Sequence, residues 1–390
     1  MLSREENELL TGVGSGTPCG EMMRRYWWPI ALAENVKQAP MPVKLLGEEF
    51  VLFRDFQGGL GLLDRNCCHR GASLEFGRVE ENGLRCCYHG WLFDRQGRCL
   101  DQPCEPPESN YKTRVQQKAY AVREQSGLVF AYIGPDPVPV FPKYDLLVKE
   151  DCNKVVQARA QLSNWLQRAE NMMDALHVMC LHASVYPELA MLYPKLLEYR
   201  DVSYGCEIYL EYPNGTKDKH HFVFPFINRV FVTRAGTEPQ QFMQWAVPTD
   251  DQHCISFQVW ASELDQPPFT LRTAKFQDRQ PGEYKRVEDG WFNIWDRDQD
   301  DVACDSQGPI ANRTREHLGV CDRGVVLLRK MVKEAIEDVR AGRDPRGVIR
   351  DEDHAVIDLW AFKTELGAIA GQIRNPEHGK KVGAVAPFEF

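Results

Sequence analysis

Basic charge is what this chain has little of: 47 lysines and arginines face 56 aspartates and glutamates, a formal net charge of −9. That balance provides no general positive field for a phosphate backbone, so nucleic acid is not the expected partner. Long apolar runs are missing too. No stretch of 18 or more apolar residues offers a membrane helix, and the opening MLSREENELLTGVGSG lacks a cationic apolar leader with a small-residue cleavage site. The expectation is a protein of the reducing cytoplasm with no membrane association. No strand–GxGxxG–helix segment is present either. Gly12, Gly14 and Gly16 follow a charged, helix-like stretch with no suitably placed lysine, so they read as a turn and not as a phosphate or dinucleotide loop.

What the chain does have is 13 cysteines in 390 residues, too few for a disulfide-packed miniature and too many to ignore. In a reducing compartment they are metal ligands or small buried side chains. The length fits two or three domains. Residues 1–42 read as an N-terminal helical segment that packs on the core. Residues 43–140 carry short apolar runs (EEFVLFRD, GGLGLLD, LRCCYHGWLFD, GLVFAYIG) between turn residues, the pattern of a compact antiparallel β domain. The proline-rich PDPVPVFPKYD marks the boundary. Residues 141–343 combine strands such as QFMQWAV and CISFQVWA with helices such as NWLQRAENMMDALHVMCLH and VVLLRKMVKEAIEDVRAG. Residues 344–390 extend this second domain, and the fold class is α+β.

Two short loops carry the first constellation. Cys67-Cys68-His69-Arg70-Gly71 and Cys86-Cys87-Tyr88-His89-Gly90-Trp91 each offer one thiolate and one imidazole, so Cys67, His69, Cys86 and His89 form a Cys2His2 donor set. Cys68 and Cys87 are alternative thiols beside both cysteines, and a zinc ribbon would use the same donor types. Gly71 and Gly90 let the backbone turn, and Tyr88 and Trp91 are expected to limit water access. The paired loops resemble a Rieske domain. That resemblance implies a [2Fe–2S] cluster in which imidazole ligation raises the reduction potential.

The second constellation is Asp174 and His177, followed by His182. On a straight helix Asp174 and His177 stand about 60° apart, but His177 and His182 about 140° apart. The helix must therefore end or bend if both histidines bind one ion. Two imidazoles and one carboxylate suit Fe(II), leaving positions for oxygen. DRDQDDVACDSQGPI supplies candidate acids, and charge alone does not select among them.

The order of the loops, the NWLQ…D..H….H arrangement and SQGPI…REHLG resemble phthalate-dioxygenase-type Rieske ring-hydroxylating oxygenases. The resemblance implies an all-β Rieske domain followed by an antiparallel-sheet, helix-grip catalytic domain. It favours Asp300 as third ligand to a mononuclear Fe(II), with Asp301 the nearest alternative, while Asp296, Asp298 and Asp305 solvate the helix. Asp174 matches an acid that bridges a cluster histidine, here His89, to an iron histidine, here His177, across neighbouring subunits; a structural cap is the plainer role. The expected activity is O2-dependent cis-dihydroxylation of an aromatic carboxylate or substituted benzoate. O-demethylation or hydroxylation is the alternative, and a noncatalytic electron carrier a more distant one. Electrons are expected from a separate NAD(P)H-dependent flavin/iron-sulfur reductase, directly or through a ferredoxin, to a homotrimer or stacked trimers. Phe222, Phe224, Trp245, Phe257 and Trp260 read as core that could also wall a pocket, and Arg229 and Arg234 as structural ion pairs before substrate anchors.

Overall fold

The computed structural model describes residues 1–182, 193–213, 217–232, 240–265, 299–357 and 359. Helices α1 (Arg4–Thr11) and α2 (Pro18–Met23) open the chain. Both begin where the sequence supplies a cap. The Glu6 amide donates to the Ser3 hydroxyl at 3.1 Å while the Ser3 amide donates to the Glu6 carboxylate at 2.8 Å, and Thr17 caps α2 ahead of Pro18.

Ten strands follow: β1 (Trp28–Leu32), β2 (Met41–Leu45), β3 (Glu48–Arg54), β4 (Leu60–Asp64), β5 (Arg78–Glu80), β6 (Gly83–Arg85), β7 (Leu92–Phe93), β8 (Cys99–Asp101), β9 (Ala119–Gln125) and β10 (Leu128–Tyr132). They form a six-stranded sheet, β1-β10-β9-β4-β3-β2, and a four-stranded sheet, β5-β6-β7-β8, all antiparallel. This is the expected all-β domain, with one correction. Residues 1–42 are not a helical segment throughout, because Trp28–Leu32 is an edge strand paired with β10. The run is apolar without helical period and contains Pro29, which suits an edge strand and not a helix interior.

The second half contains β11 (Lys143–Tyr144), α3 (Asp145–Val148), β12 (Cys152–Gln161), α4 (Trp165–Met173), α5 (Val178–Leu181), β13 (Leu196–Val202), β14 (Gly205–Glu211), β15 (Lys217–Val223), β16 (Ile227–Val232), β17 (Gln240–Pro248), β18 (Cys254–Glu263), α6 (Gln299–Asp305), α7 (Arg323–Arg340) and β19 (Val356–Ile357). Its seven-stranded antiparallel sheet runs β12-β18-β17-β16-β15-β14-β13. Helix α7 buries Leu328, Met331, Val332, Ala335 and Ile336, the spacing of a single apolar face.

One core spans both halves: Phe130 of the first sheet meets Trp245 of the second at 5.9 Å between ring centroids, and Trp165 of α4 lies 4.2 Å from Phe226. Phe222, Phe224, Trp245 and Phe257 are part of this interior, and Trp260 packs on Phe242. Arg229 is fully buried, donating to Asp145 at 2.9 Å and to Gln241 at 2.8 Å, so it is a structural ion pair. Arg234, Asp296, Asp298 and residues 360–390 lie outside the described residues.

Candidate iron–sulfur and mononuclear metal centres

The two cysteine–histidine loops are built alike. The Gly71 amide donates to the Cys67 carbonyl at 2.8 Å and the Cys67 amide to Ala72 at 2.8 Å; in the other loop Gly90 donates to Cys86 at 3.1 Å and Cys86 to Trp91 at 2.8 Å. Both glycines have positive φ, +75° and +74°, which closes each turn at little steric cost. At Gly90 a Cβ would also stand 2.7 Å from Pro103 Cγ. The two turns thus close alike, with the donors at positions one and three of the first (Cys67, His69) and one and four of the second (Cys86, His89).

Their donors meet. Cys67 and Cys86 are buried, whereas Cys68 and Cys87 are exposed, which separates the two candidate thiol pairs. The Cys67 thiol is within hydrogen-bond reach of Cys86, and this bond draws Cys86 down to about 6 while pushing Cys67 up. The His69 and His89 rings lie 4.6 Å apart, and His69 stacks flat on Trp91 at 4.1 Å with an interplanar angle of 6°. A sulfur pair and an imidazole pair therefore sit together, as a cluster with two thiolate and two imidazole ligands requires. Trp91 is buried as expected. Tyr88 is not: it is 56% exposed beneath Arg70, although its ring lies 3.8 Å from that of His89 and covers one side of that imidazole.

The second site depends on a broken helix. Helix α4 ends at Met173, Asp174 turns to φ −84° and ψ 101°, and His177 and His182 flank the single turn of α5. That break removes the about 140° separation of a straight helix. The rings come to 5.2 Å, and one Asp300 oxygen lies 3.3 Å from His177 Nε2 and 3.1 Å from His182 Nε2. One donor atom from each of the three residues falls within 4.8 Å of the other two.

The hydrogen bonds behind the rings say what belongs between them. His177 Nδ1 lies 2.5 Å from the main-chain carbonyl of Asp174, and His182 Nδ1 lies 2.6 Å from Gln299 Oε1. Both partners are acceptors, so each Nδ1 carries a proton, and the tautomer protonated there alone turns a lone pair at Nε2 toward Asp300. Three acceptors facing one another repel unless a cation joins them, which fits a divalent metal held by two histidines and a carboxylate. Burial pushes Asp300 toward protonation, but the Arg168 guanidinium 3.4 Å away holds it well below the usual carboxylate range.

The other acids have different work. Asp301 is buried and bonded to Arg159 and, at 2.8 Å, to Gln161. Asp305 accepts from the Leu162 amide and the Ser163 hydroxyl. The Asp174 carboxylate accepts from the Leu176 amide at 2.8 Å, and within this chain it is the carbonyl of Asp174, not its carboxylate, that meets His177.

Four supporting groups escaped the sequence reading: Gln299, Arg168, Asn171 and the Asp174 carbonyl. Asn171 donates to Asp300 at 3.2 Å and accepts from Arg168 at 3.1 Å. Their spacing of three on α4 places them on one face, a signal present in the sequence but readable only once Asp300 is known to lie above it.

The chain is similar to known proteins along most of its length. Residues 26–126 match the family described as the Rieske [2Fe-2S] domain. The 5,5'-dehydrodivanillate O-demethylase oxygenase subunit of Sphingobium sp. (strain NBRC 103272 / SYK-6) is 36% identical, over 90% of this chain and 84% of the relative. The phenoxybenzoate dioxygenase subunit alpha of Ectopseudomonas oleovorans is 35% identical, over 90% of this chain and 89% of the relative. The solved structure of Pseudomonas putida CBB5 NdmA with caffeine shares the fold, with a TM-score of 0.67 at 20% identity, covering 86% of this chain and 99% of that one. Among the described residues no helix is long and apolar enough to cross a membrane. Oxygenase subunits of this kind pair a Rieske [2Fe–2S] cluster with a mononuclear iron and receive electrons from a separate protein. With donor sets suited to both centres and relatives matched along most of their length, the chain belongs to the Rieske non-haem iron oxygenases, as an oxygenase subunit.

Proposed function

We propose that Cys67, His69, Cys86 and His89 ligate the cluster, that His177, His182 and Asp300 ligate the iron, and that the enzyme oxygenates an aromatic acid. The observation that carries this reading is the convergence of His177, His182 and Asp300, with both Nδ1 positions already committed. When bound, the cluster supplies single electrons and the iron activates dioxygen. The chain's own residues do the rest by orientation. Gln299 and the Asp174 carbonyl fix the imidazole tautomers, and Arg168 and Asn171 keep the Asp300 carboxylate ionised and aimed. Trp91 holds the plane of His69.

The first substrate reading is cis-dihydroxylation of an aromatic carboxylate, in keeping with the phenoxybenzoate dioxygenase relative. O-demethylation of a methoxylated aromatic acid is the second, favoured by the O-demethylase relative that matches at 36% identity. We further propose a homotrimer or stacked trimers, served by an NAD(P)H-dependent flavin/iron-sulfur reductase directly or through a ferredoxin. In that assembly the Asp174 carboxylate, one oxygen of which has no partner among the described residues, bridges toward the partner subunit's His89.

The test combines metal analysis with turnover. Parent protein should contain three irons and two acid-labile sulfides per chain, His182→Ala and Asp300→Ala two irons with the Rieske spectrum intact. Reductase-coupled oxygen uptake with benzoates, phthalates and methoxylated aromatics, followed by product mass, then separates dihydroxylation from demethylation. Stoichiometric zinc with no Rieske spectrum would sink the reading.

A further inference from the structure

The sheet face turned toward α6 carries an unbroken row of amides. Gln157, Gln258, Gln244 and Asn228 are direct cross-strand partners on β12, β18, β17 and β16. Directly paired residues project to one side of a sheet. That side is fixed by Arg159 and Gln161, two and four residues along β12 from Gln157, whose side chains hold Asp301 next to Asp300.

The orientation of the row follows from one group that cannot be flipped. The indole N–H of Trp260 donates to Gln258 Oε1 at 3.2 Å, and Gln157 donates to the same oxygen. Gln258 Nε2 therefore does the donating, to Ser256 at 3.1 Å and to Gln244 Oε1 at 3.0 Å. Gln244 must then carry its own Nε2 away from Gln258. Gln244 is 2% exposed, and among the described residues this buried N–H donor has no partner. On the next strand the buried Asn228 Oδ1 has none either. A chain of satisfied amides thus ends in an open donor beside an open acceptor, on the face shared with the residues that support α6.

We infer that Gln244 and Asn228 recognise a phenolic hydroxyl of the substrate. A hydroxyl oxygen accepts from Gln244 Nε2 and donates its proton to Asn228 Oδ1, satisfying both groups with one atom. A carboxylate has only acceptors and leaves Asn228 opposed. The cations near this part of the sheet are engaged elsewhere: Arg159 by Asp301, and Arg229, one residue out of step and hence on the opposite face, by Asp145. The inference rests on the oxygenase reading above and assigns the substrate a hydroxylated ring.

The experiment measures binding without turnover. Iron-replete holoprotein is titrated anaerobically by calorimetry with the 2-, 3- and 4-hydroxybenzoates, each against benzoate and the matching methoxybenzoate. At least one hydroxybenzoate is expected to bind about tenfold more tightly than its methyl ether, the worth of a buried neutral hydrogen bond. Gln244→Leu and, separately, Asn228→Val should reduce that preference to about twofold, with cluster and iron content unchanged. Equal binding of all hydroxybenzoates and ethers, or a preference that survives both substitutions, overturns the inference and indicates a row satisfied by water. The two proposals fail differently. Iron-replete protein that consumes oxygen but ignores the hydroxyl sinks only this one, whereas protein that holds no mononuclear iron sinks both.

Discussion

Substituting Glu170 by Gln is expected to loosen helix α4 while leaving every metal donor in place. The Glu170 carboxylate accepts from Arg313 Nε at 2.9 Å and Nη2 at 2.8 Å, and from Arg329 Nε at 2.7 Å. The two guanidinium side chains are only 2% and 6% exposed. Arg329 keeps Glu316, to which Nη2 donates at 2.8 Å. Arg313 keeps only neutral acceptors among the described residues, Asn7 and the Ala311 carbonyl. One buried positive charge thus loses its counter-charge. Breaking a buried pair from one side costs ~3–5 kcal/mol, and the surviving Glu316 contact argues for the lower end, about 3 kcal/mol. At roughly 1.4 kcal/mol per decade, that is on the order of a 100-fold rise in local opening. Hydrogen exchange followed by mass spectrometry on peptides covering Trp165–Met173 reads this directly. Glu316→Gln serves as a control and should accelerate exchange by about tenfold or less, since Arg329 then retains Glu170. Exchange in Glu170→Gln within about threefold of the parent would refute a role for this buried network in holding the helix that precedes His177 and His182.

Other perturbations probe the cluster loops. Gly90→Ala should abolish the Rieske absorbance, because the positive φ and the 2.7 Å approach to Pro103 act together, while Gly71→Ala, with nothing within 4 Å, should keep the cluster at a cost of about 1–2 kcal/mol. Cys67→Ser and Cys86→Ser should each lose the cluster, and Cys68→Ser and Cys87→Ser should each retain it, as counted by acid-labile sulfide; the reverse pattern would reassign the ligands. Acid should weaken the four-stranded sheet through Glu80, which the Arg85 hydrogen bonds hold at about 2 against an ordinary 4.5. A depressed carboxylate contributes its full stability above its unfolded value and loses it as pH falls from about 4.5 toward 2. Thermal midpoints across that window should fall more steeply for the parent than for Glu80→Gln. Arg229→Met should lower the thermal midpoint without changing the Kd for any benzoate, since that cation is spent on Asp145; a weakened Kd would restore it as a substrate anchor.

Both candidate metal sites were legible in the sequence because their proposed donors come as local pairs. Cys67 with His69, Cys86 with His89, and His177 with His182 are each separated by fewer than six residues, and a turn or a broken helix brings such neighbours together whatever the rest of the chain does. The alternation of apolar residues likewise announced an all-β domain followed by a sheet with helices. Spacing could not choose between adjacent identical residues. Cys67 differs from Cys68, and Asp300 from Asp301, only in the direction a side chain takes once the loop or helix is docked. Burial separates Cys67 and Cys86 from their neighbours, and the ion pairs of Arg168 with Asp300 and Arg159 with Asp301 tell the two acids apart. Nor could the sequence foresee that Asp174 would meet His177 through its carbonyl, or that four amides from four strands would line up beside α6, because cross-strand register is a property of the assembled sheet. The chemistry of this protein was written in short motifs; which atom of each motif faces the site, and what the site offers a substrate, arose from contacts between residues more than a hundred positions apart.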